Sequence, residues 1–228
     1  MEQEHDVIPG DLQQTRRFED FHFNKLPTWE AILGMLVVGG LYAALPAKLV
    51  RGPAWLLLAI ESVLLLPVAV TILTGRGLPL KAIRPFFFVI FGLLTMAEVL
   101  SITLLVATLS TDTYALYLLR AAAVLWLSNI LIFGLWYWQI DGGGPFKRHL
   151  SRHQAADFMF PQQADGNSKG WTPRFLDYLF LAFTASTALS PADTFPLSRP
   201  AKALMMVEAL ISMTIVVLLA ARAVNIFS

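Results

Sequence analysis

The sequence predicts an all-α fold, a polytopic membrane helix bundle with six transmembrane helices. Two features of composition predict this class: 56% of the 228 residues are hydrophobic and only 14% are charged, whereas soluble domains contain about 45–50% apolar and about 25% charged residues. A chain with so little charge cannot cover a soluble globule of this size with polar surface. The third observation is a series of apolar stretches of about 20 residues, the length that crosses about 30 Å of hydrocarbon as a helix.

The segments follow one another in a simple order. Residues 1–28 are polar and lack the apolar core of a signal peptide, so they are predicted to form a cytosolic tail. Residues 29–140 form a four-helix membrane segment, and residues 141–173, which begin Asp-Gly-Gly-Gly-Pro, are predicted to be a flexible cytosolic loop. Residues 174–228 contain a short helix and the final membrane helix. The six predicted spans are 29–49, 54–74, 86–109, 114–140, 175–189 and 201–227.

The fifth apolar stretch, 175–189, differs from the others in length and polarity. As a helix it extends about 22 Å, which is less than a full crossing, and it ends before Pro191 and Pro196. It is therefore either a short crossing helix or a re-entrant one. We favour the short crossing helix, because a re-entrant helix after four spans would dip from the cytosol.

The distribution of positive charge predicts the orientation, because Lys and Arg accumulate in cytosolic loops. With six spans and a cytosolic N-terminus, the inside segments carry eleven of the 17 basic residues, the outside segments carry four, and two lie within spans. The sequence thus predicts a multi-pass protein of the cell (inner) membrane with both termini in the cytosol.

Four ionisable residues fall within the apolar spans: Glu61, Glu98, Arg120 and Glu208. Such residues are costly in hydrocarbon and are candidates for function. All four lie in the outer half of the predicted bundle, so we expect three carboxylates around one guanidinium, with at least one carboxylate protonated because negative charge is in excess. Two interpretations stay open: a structural lock between helices, and a permeation or proton site.

A second group of candidates lies on and around the fifth stretch. Its hydroxyl side chains either pack against neighbouring helices or line a hydrated path, and the aspartate at its mouth either caps a turn or attracts cations. The carboxylate near its start and the guanidinium near the end of the last span are predicted to form a structural pair. The residues are Thr184, Ser186, Thr187, Ser190 and Asp193 for the lining and mouth, and Asp177 and Arg222 for the pair.

Several functions find no support in the sequence. A chain without cysteine cannot form disulfides or thiolate metal sites. A net charge of +1 does not indicate the basic surface that binds nucleic acid. His149 and His153 are four residues apart, but no third ligand stands at a suitable spacing, so no metal site is predicted. No catalytic or nucleotide-binding motif occurs. We therefore expect no enzyme, no cofactor and no nucleic-acid partner.

The C-terminal third carries five characteristic runs of sequence: YWQIDGGGP from Tyr137, FMFPQ from Phe158, DYLFLAFT from Asp177, SPADT from Ser190 and ARAVN from Ala221. In these runs the chain resembles a family of uncharacterised bacterial integral membrane proteins, a resemblance that implies membrane location and brings no activity. The stretch 187–196 also looks like the end of a potassium-channel pore helix, its filter and the following aspartate and proline. The filter glycines are replaced by Ser190 and Ala192, so a carbonyl filter selective for potassium is not expected.

These observations together predict permeation of ions, protons or a small solute through the bundle. The expected partners are the lipid bilayer, a monovalent cation or proton, and further copies of the chain in a homo-oligomer. The alternative is a non-transporting scaffold or assembly protein whose buried charges only lock helices together.

Overall fold

The computed structural model describes residues 28–74, 80–108, 115–151, 153–187 and 193–227. Short 3₁₀ helices cover Ala47–Leu49, Asp141–Gly143 and Pro161–Gln163. The described chain otherwise consists of seven α-helices and two short strands: α1 (Thr28–Ala43), α2 (Leu56–Thr74), α3 (Leu80–Thr108), α4 (Ala115–Ile140), α5 (Pro145–Leu150), β1 (Phe158–Met159), α6 (Phe175–Ser186), β2 (Phe195–Pro196) and α7 (Arg199–Phe227).

Each of the six predicted spans contains a helix, so the all-α class is confirmed. Three helices in the described part of the chain are long and apolar enough to cross a membrane, namely Ile83–Thr108, Leu116–Gly143 and Arg199–Ala221. The apolar stretches Trp29–Ala43, Leu56–Val70 and Phe175–Ser186 are shorter. Length and composition therefore qualify three helices as membrane crossings, where the sequence analysis counted six.

Helix α4 is the centre of the bundle, since it packs against α1, α3, α6 and α7. Its two halves belong to different apolar clusters. At the end where α4 finishes, which we call the loop end, Trp138 packs with Phe87, Phe158 and Tyr178. At the opposite end, Leu118 belongs to a second cluster with Leu49, Leu105 and Ile215. These two clusters mark the two ends of the bundle and give each helix its direction.

Helix α6 enters the bundle at the loop end and does not reach the opposite end. Its twelve residues extend about 18 Å, from Tyr178 beside Asp141 to Ser186 beside Asn129. By Phe195 the chain is back at the loop end, because β2 pairs with β1 and Leu197 N donates to Asp157 O at 2.8 Å. The described chain therefore enters the bundle and returns to the same end, which is the path expected of the re-entrant alternative rather than of the favoured short crossing helix.

This path determines where the last helix runs. Helix α7 starts at the loop end, where Ala201 joins the first apolar cluster, and reaches the second cluster at Ile215. Helix α1 also starts at the loop end, where Glu30 Oε2 accepts a hydrogen bond from Phe175 N at 3.3 Å. The two helices thus begin at the same end, and the end of α7 lies at the opposite end of the bundle from the start of α1.

The segment 141–173, predicted to be a flexible loop, is folded against the loop end. Phe158 and Phe160 are buried within it, as are the polar side chains of Gln163 and Asn167. The glycines that suggest flexibility form a left-handed turn, in which Gly142, Gly143 and Gly144 have φ of 57°, 78° and 101°. Residues other than glycine rarely adopt these values. Glycine suits a fixed turn as well as a mobile linker, so the run DGGGP alone does not distinguish the two.

Candidate functional site

Glu208 of α7 lies fully buried beside the inner end of α6. Its carboxylate accepts hydrogen bonds from two hydroxyl groups. Tyr137 of α4 donates its hydroxyl to Oε2, and Ser186 of α6 donates Oγ to Oε1 at 2.8 Å. Both oxygens of Glu208 therefore accept a hydrogen bond, and three helices meet at this one side chain.

A second layer of hydrogen bonds holds Ser186 in place. Asn129 Nδ2 donates to Ser186 Oγ at 3.3 Å, so the hydroxyl proton of Ser186 is directed at Glu208. Ser212 Oγ donates to Ser186 O at 2.6 Å and accepts from Trp126 Nε1 at 3.2 Å. The carbonyl of Ser186 is among the last four of α6, which lack partners inside the helix. Ser212 supplies the missing donor and ties the end of α6 to α7.

Glu98 of α3 is the second carboxylate of the site. It is 1% exposed and lies close enough to Glu208 for the two charges to interact. Neither of its oxygens has a hydrogen-bond partner among the described residues, and the same holds for Ser101 Oγ and Asn129 Oδ1. We call Glu98 and Glu208 the carboxylate pair.

No described Lys, Arg or His interacts with the carboxylate pair: Glu208 is the only charged neighbour of Glu98, and the other partners of Glu208 are neutral hydroxyls. The C-terminal end of α6 adds the negative pole of its helix dipole. Two adjacent buried negative charges without a counterion cost several kcal/mol each, by the order of magnitude known for buried ions. A small positive charge, such as a proton or a monovalent cation, would neutralise a pair of this kind.

Arg120 is not part of this site. Its side chain is exposed on α4 near the opposite end of the bundle, so the expected arrangement of three carboxylates around one guanidinium is wrong. Position along a helix is readable from sequence, but the face of a side chain depends on which neighbours pack there. A long basic side chain close to a helix end can also extend to the membrane surface, which makes its exposure inexpensive.

Glu61 is buried but stands apart from the carboxylate pair. It lies on α2 against Gly39 of α1, where a Cβ would collide with the carboxylate, and it lines an apolar pocket with Leu57 and Leu94. Neither of its oxygens has a hydrogen-bond partner in the described chain, and no charged neighbour of it is found there. Of the four residues predicted to cluster, only Glu98 and Glu208 lie together.

The hydroxyl residues of α6 have different roles. Ser186 belongs to the network around Glu208, whereas Thr184 and Thr187 bond back to the helix backbone at Leu181 O and Phe183 O, both at 2.9 Å. This back-bonding is typical of threonine within membrane helices. Ser190 lies outside the described residues. Asp193 is exposed at the loop end, next to the start of β2.

The predicted pair of Asp177 and Arg222 would have to join positions near opposite ends of the bundle. Asp177 Oδ2 accepts a hydrogen bond from Arg174 N at 2.7 Å and so caps the start of α6 at the loop end. Position 222 lies more than twenty residues into α7, which runs to the opposite end, and its side chain is outside the described residues. The prediction assumed that α6 and α7 are antiparallel, but both run inward from the loop end.

A buried lock at the loop end was missed by the sequence analysis. The carboxylate of Asp141 accepts hydrogen bonds from Tyr178 OH at 2.5 Å and from the backbone N of Asp157 and Phe158 at 3.0 and 3.2 Å. From composition, the run DGGGP predicts a linker. The signal lay in the resemblance itself, because Asp141 and Tyr178 each sit inside one of its characteristic runs.

Arg148 of α5 completes this lock. Its Nη1 donates to Trp138 O at 2.6 Å and to Asp141 O at 2.7 Å, and its guanidinium lies over the Tyr178 ring at 5.1 Å from the centroid. The Arg148 Nε atom is 4.0 Å from Asp141 Oδ2. The guanidinium thus satisfies carbonyls at the C-terminal end of α4 and fastens the folded loop to the bundle.

The two histidines of the loop contact each other. His149 Nδ1 and His153 Nε2 are 3.3 Å apart. Burial, together with the nearby His149 and Arg148, lowers the pKa of His153 to about 4. In the described part of the chain no group of three potential metal ligands occurs.

No family model, curated protein or solved structure matches the chain.

Proposed function

We propose that this chain is an integral membrane protein that lets protons or small monovalent cations pass through its helix bundle, with the carboxylate pair as their binding site. The observation that carries the proposal is the burial of Glu98 and Glu208 together, within reach of each other's charge and without a basic partner among the described residues. Intramembrane carboxylates of this kind are typical of ion and proton pathways.

The re-entrant helix supports a positive rather than a negative ligand. Helix α6 enters from the loop end and points its C-terminal end at Glu208, so its dipole adds to the negative potential there. Half-helices that end inside a bundle are a common way of building ion sites in membrane proteins. The inner end of α6 is held by Ser212 and Asn129, so this negative potential has a fixed position.

The same path of the chain supports a topology of five crossings and one re-entrant helix. The segments that chain order assigns to the loop end hold 13 of the 17 basic residues, and those at the opposite end hold four. By the positive-inside rule we infer that the loop end faces the cytosol. The N-terminus would then be cytosolic and the C-terminus would be on the other side. The basic residues assigned to the loop end are Arg16, Arg17, Lys25, Arg76, Lys81, Arg84, Lys147, Arg148, Arg152, Lys169, Arg174, Arg199 and Lys202.

Membership in the family of bacterial integral membrane proteins remains part of the proposal, resting on the five runs quoted above. The likeness to a potassium-channel pore module gains support from the re-entrant course of α6, since a pore helix follows such a course. Glycines are missing at the filter positions, where Ser190 and Ala192 stand, so we do not propose selectivity for potassium.

A flux assay on the purified full chain in liposomes tests the proposal. We expect the wild-type protein to carry protons, sodium or potassium down an imposed gradient, followed with dyes inside the vesicles. Glu208→Gln keeps the size of the side chain and removes its charge, so we expect it to lose most of this flux. A folded wild-type protein that carries none of the three ions would contradict the proposal.

A non-transporting scaffold is the second candidate function. It is favoured by one observation: the hydrogen bonds of Glu208 join α4, α6 and α7, as a purely structural lock would. The two candidates differ in the flux assay and in stability. A scaffold predicts no flux and a large loss of stability in Glu208→Gln, whereas the permeation proposal predicts flux in the wild type.

A further inference from the structure

We propose that the carboxylate pair binds a single proton, and that this proton resides on Glu98 while Glu208 stays ionised. The inference rests on the proposed function, because it names the ligand of that same site. It depends on hydrogen-bond directions and burial around the two carboxylates, and it is tested without measuring flux.

The donors around Glu208 indicate an ionised carboxylate. Ser186 Oγ accepts from Asn129 Nδ2, which can only donate, so the proton of Ser186 is free to point at Glu208 Oε1. On the other oxygen, the hydroxyl of Tyr137 has no other acceptor among the described residues. Turning Tyr137 into an acceptor would leave its own hydrogen buried and unpaired, which costs free energy. Both oxygens of Glu208 therefore accept hydrogen bonds, as those of an ionised carboxylate do.

Glu98, in contrast to Glu208, has no hydrogen-bond donors around it in the described chain. No described donor reaches either oxygen, although the side chain is 1% exposed. An ionised carboxylate in this position would lack water, donors and a counterion at once, which is the costliest state for a buried acid. A neutral carboxylic acid has no charge to be solvated. One proton also removes the repulsion between the two side chains. A proton on Glu98 leaves a buried hydroxyl without a described acceptor, which costs less than an unpaired buried charge.

A bound sodium or potassium ion is the rival ligand. Hard cations in proteins need several oxygen ligands. The orphaned oxygens of Glu98, Ser101 and Asn129 are candidates for that role. Since a proton requires one oxygen and no coordination shell, it fits the present arrangement without any rearrangement. The cation is distinguished from the proton by the experiment below.

Infrared spectroscopy of the purified full chain tests the assignment, because a protonated carboxylic acid has a carbonyl stretch that an ionised one lacks. The measurement is made in the Glu61→Gln background, so that the other buried glutamate contributes nothing. At neutral pH we expect a carboxylic-acid band in this background. Adding Glu98→Gln should abolish the band, and adding Glu208→Gln instead should leave it.

Three results would overturn the assignment. A band that survives Glu98→Gln and disappears in Glu208→Gln places the proton on Glu208. A band that is absent in sodium or potassium buffer and present when choline replaces these ions identifies a cation as the ligand. No band under any of these conditions means that both carboxylates are ionised.

Tyr137→Phe provides a second test should Glu98→Gln fail to fold. Glu98 has no hydrogen bond to Tyr137, so the band should keep its frequency when the hydroxyl is removed. A shift of the band would place the proton on Glu208 instead. Because none of these readouts involves transport, a band that behaves as expected together with absent flux would refute permeation and leave the proton site intact.

Discussion

At the scale of single residues, the number of hydrogen bonds that a buried acid accepts distinguishes a structural carboxylate from a candidate functional one. The carboxylate of Asp141 accepts three hydrogen bonds and has a guanidinium 4.0 Å away, which is the pattern of a structural group. Glu98 and Glu61 are buried to the same degree and accept none in the described chain, but only Glu98 lies within reach of a second carboxylate, Glu208. A buried polar group without partners needs an explanation beyond stability, and in this protein the explanation we propose is a ligand.

The lock at the loop end predicts a large loss of stability when Arg148 is neutralised. Arg148→Met keeps the apolar stem but leaves the carbonyls of Trp138 and Asp141 and the carboxylate of Asp141 uncompensated, which should cost about 3 kcal/mol of unfolding free energy. Denaturant unfolding in detergent measures this. The matched control is Lys147→Met on the same helix, where the side chain is exposed. Equal stability of the two variants would contradict the lock.

The depressed pKa of His153 predicts a dependence of stability on pH. Its value of about 4 in the folded protein lies below the ordinary 6.5, so the unfolded chain binds more protons between these two values. The contribution to stability is complete above about 6.5 and is lost as the pH falls towards about 4. Unfolding free energy measured against pH should fall more steeply over this window in the wild type than in His153→Asn, a residue that tolerates the positive φ of 53°. Parallel curves would contradict the prediction.

Sequence reasoning at this scale found the buried carboxylates and misplaced the charge meant to balance them. Hydropathy locates Glu98, Glu208 and Arg120 along their helices, and charge in hydrocarbon marks all three as unusual. Neither hydropathy nor charge tells on which face of its helix each side chain lies. The hydroxyl of Tyr137 was missed because a tyrosine at a helix end fits an interfacial aromatic belt equally well.

At the scale of elements, the close contact between α4 and α6 decides how the re-entrant helix is held. A Cβ at Gly134 of α4 would lie 3.3 Å from Leu179 Cα, so the two backbones meet there without a side chain between them. Small residues at such crossings are what membrane helices use to pack tightly. The position of α6, and of Ser186 at its inner end, therefore depends on a glycine in α4.

This contact predicts that Gly134→Val destabilises the protein by about 2 kcal/mol, the usual cost of overpacking a tight site. The neighbouring backbone cannot yield as a flexible side chain would. Gly92→Val on α3 is the matched control, because a Cβ there meets nothing within 4 Å. Thermal unfolding of both variants in detergent makes the comparison. If Gly134→Val were as stable as Gly92→Val, the close packing of α4 and α6 would be refuted.

The elements themselves were largely predictable, whereas the direction of one of them was not. Twenty apolar residues specify a helix because the backbone must satisfy its own hydrogen bonds in lipid. A twelve-residue helix such as α6 is compatible with a short crossing and with a re-entrant course. Only the pairing of β2 with β1, a contact between residues far apart in sequence, distinguishes the two.

At the scale of the whole molecule, positive charge and chain path support the proposed orientation. The return of the chain to the loop end after α6 places Arg199 and Lys202 there, which strengthens the bias already present in the sequence. The exposed apolar side chains of α7, such as Met206, Leu210 and Met213, suit a helix that faces lipid. The scarcity of charge thus defines the class of protein, and the few charges that remain buried define its candidate site.

This orientation predicts which positions a membrane-impermeant thiol reagent can reach. The chain has no native cysteine, so single substitutions report without interference. Asp193→Cys should react only after cells are permeabilised, and Arg51→Cys, at the opposite end of the bundle, should react in intact cells. Both side chains are exposed. Labelling of both positions from the same side would mean that the fifth segment crosses the membrane after all.

The central claim is that the carboxylate pair, and not buried negative charge in general, carries ions through the bundle. Glu98→Gln and Glu61→Gln are the decisive comparison, since each neutralises one buried glutamate without changing its size, and only Glu98 belongs to the pair. Proton and cation flux is measured into liposomes containing either variant at equal protein content. The account predicts that Glu98→Gln loses nearly all flux while Glu61→Gln keeps the wild-type rate. Equal flux in the two variants, or none in the wild type, would contradict it.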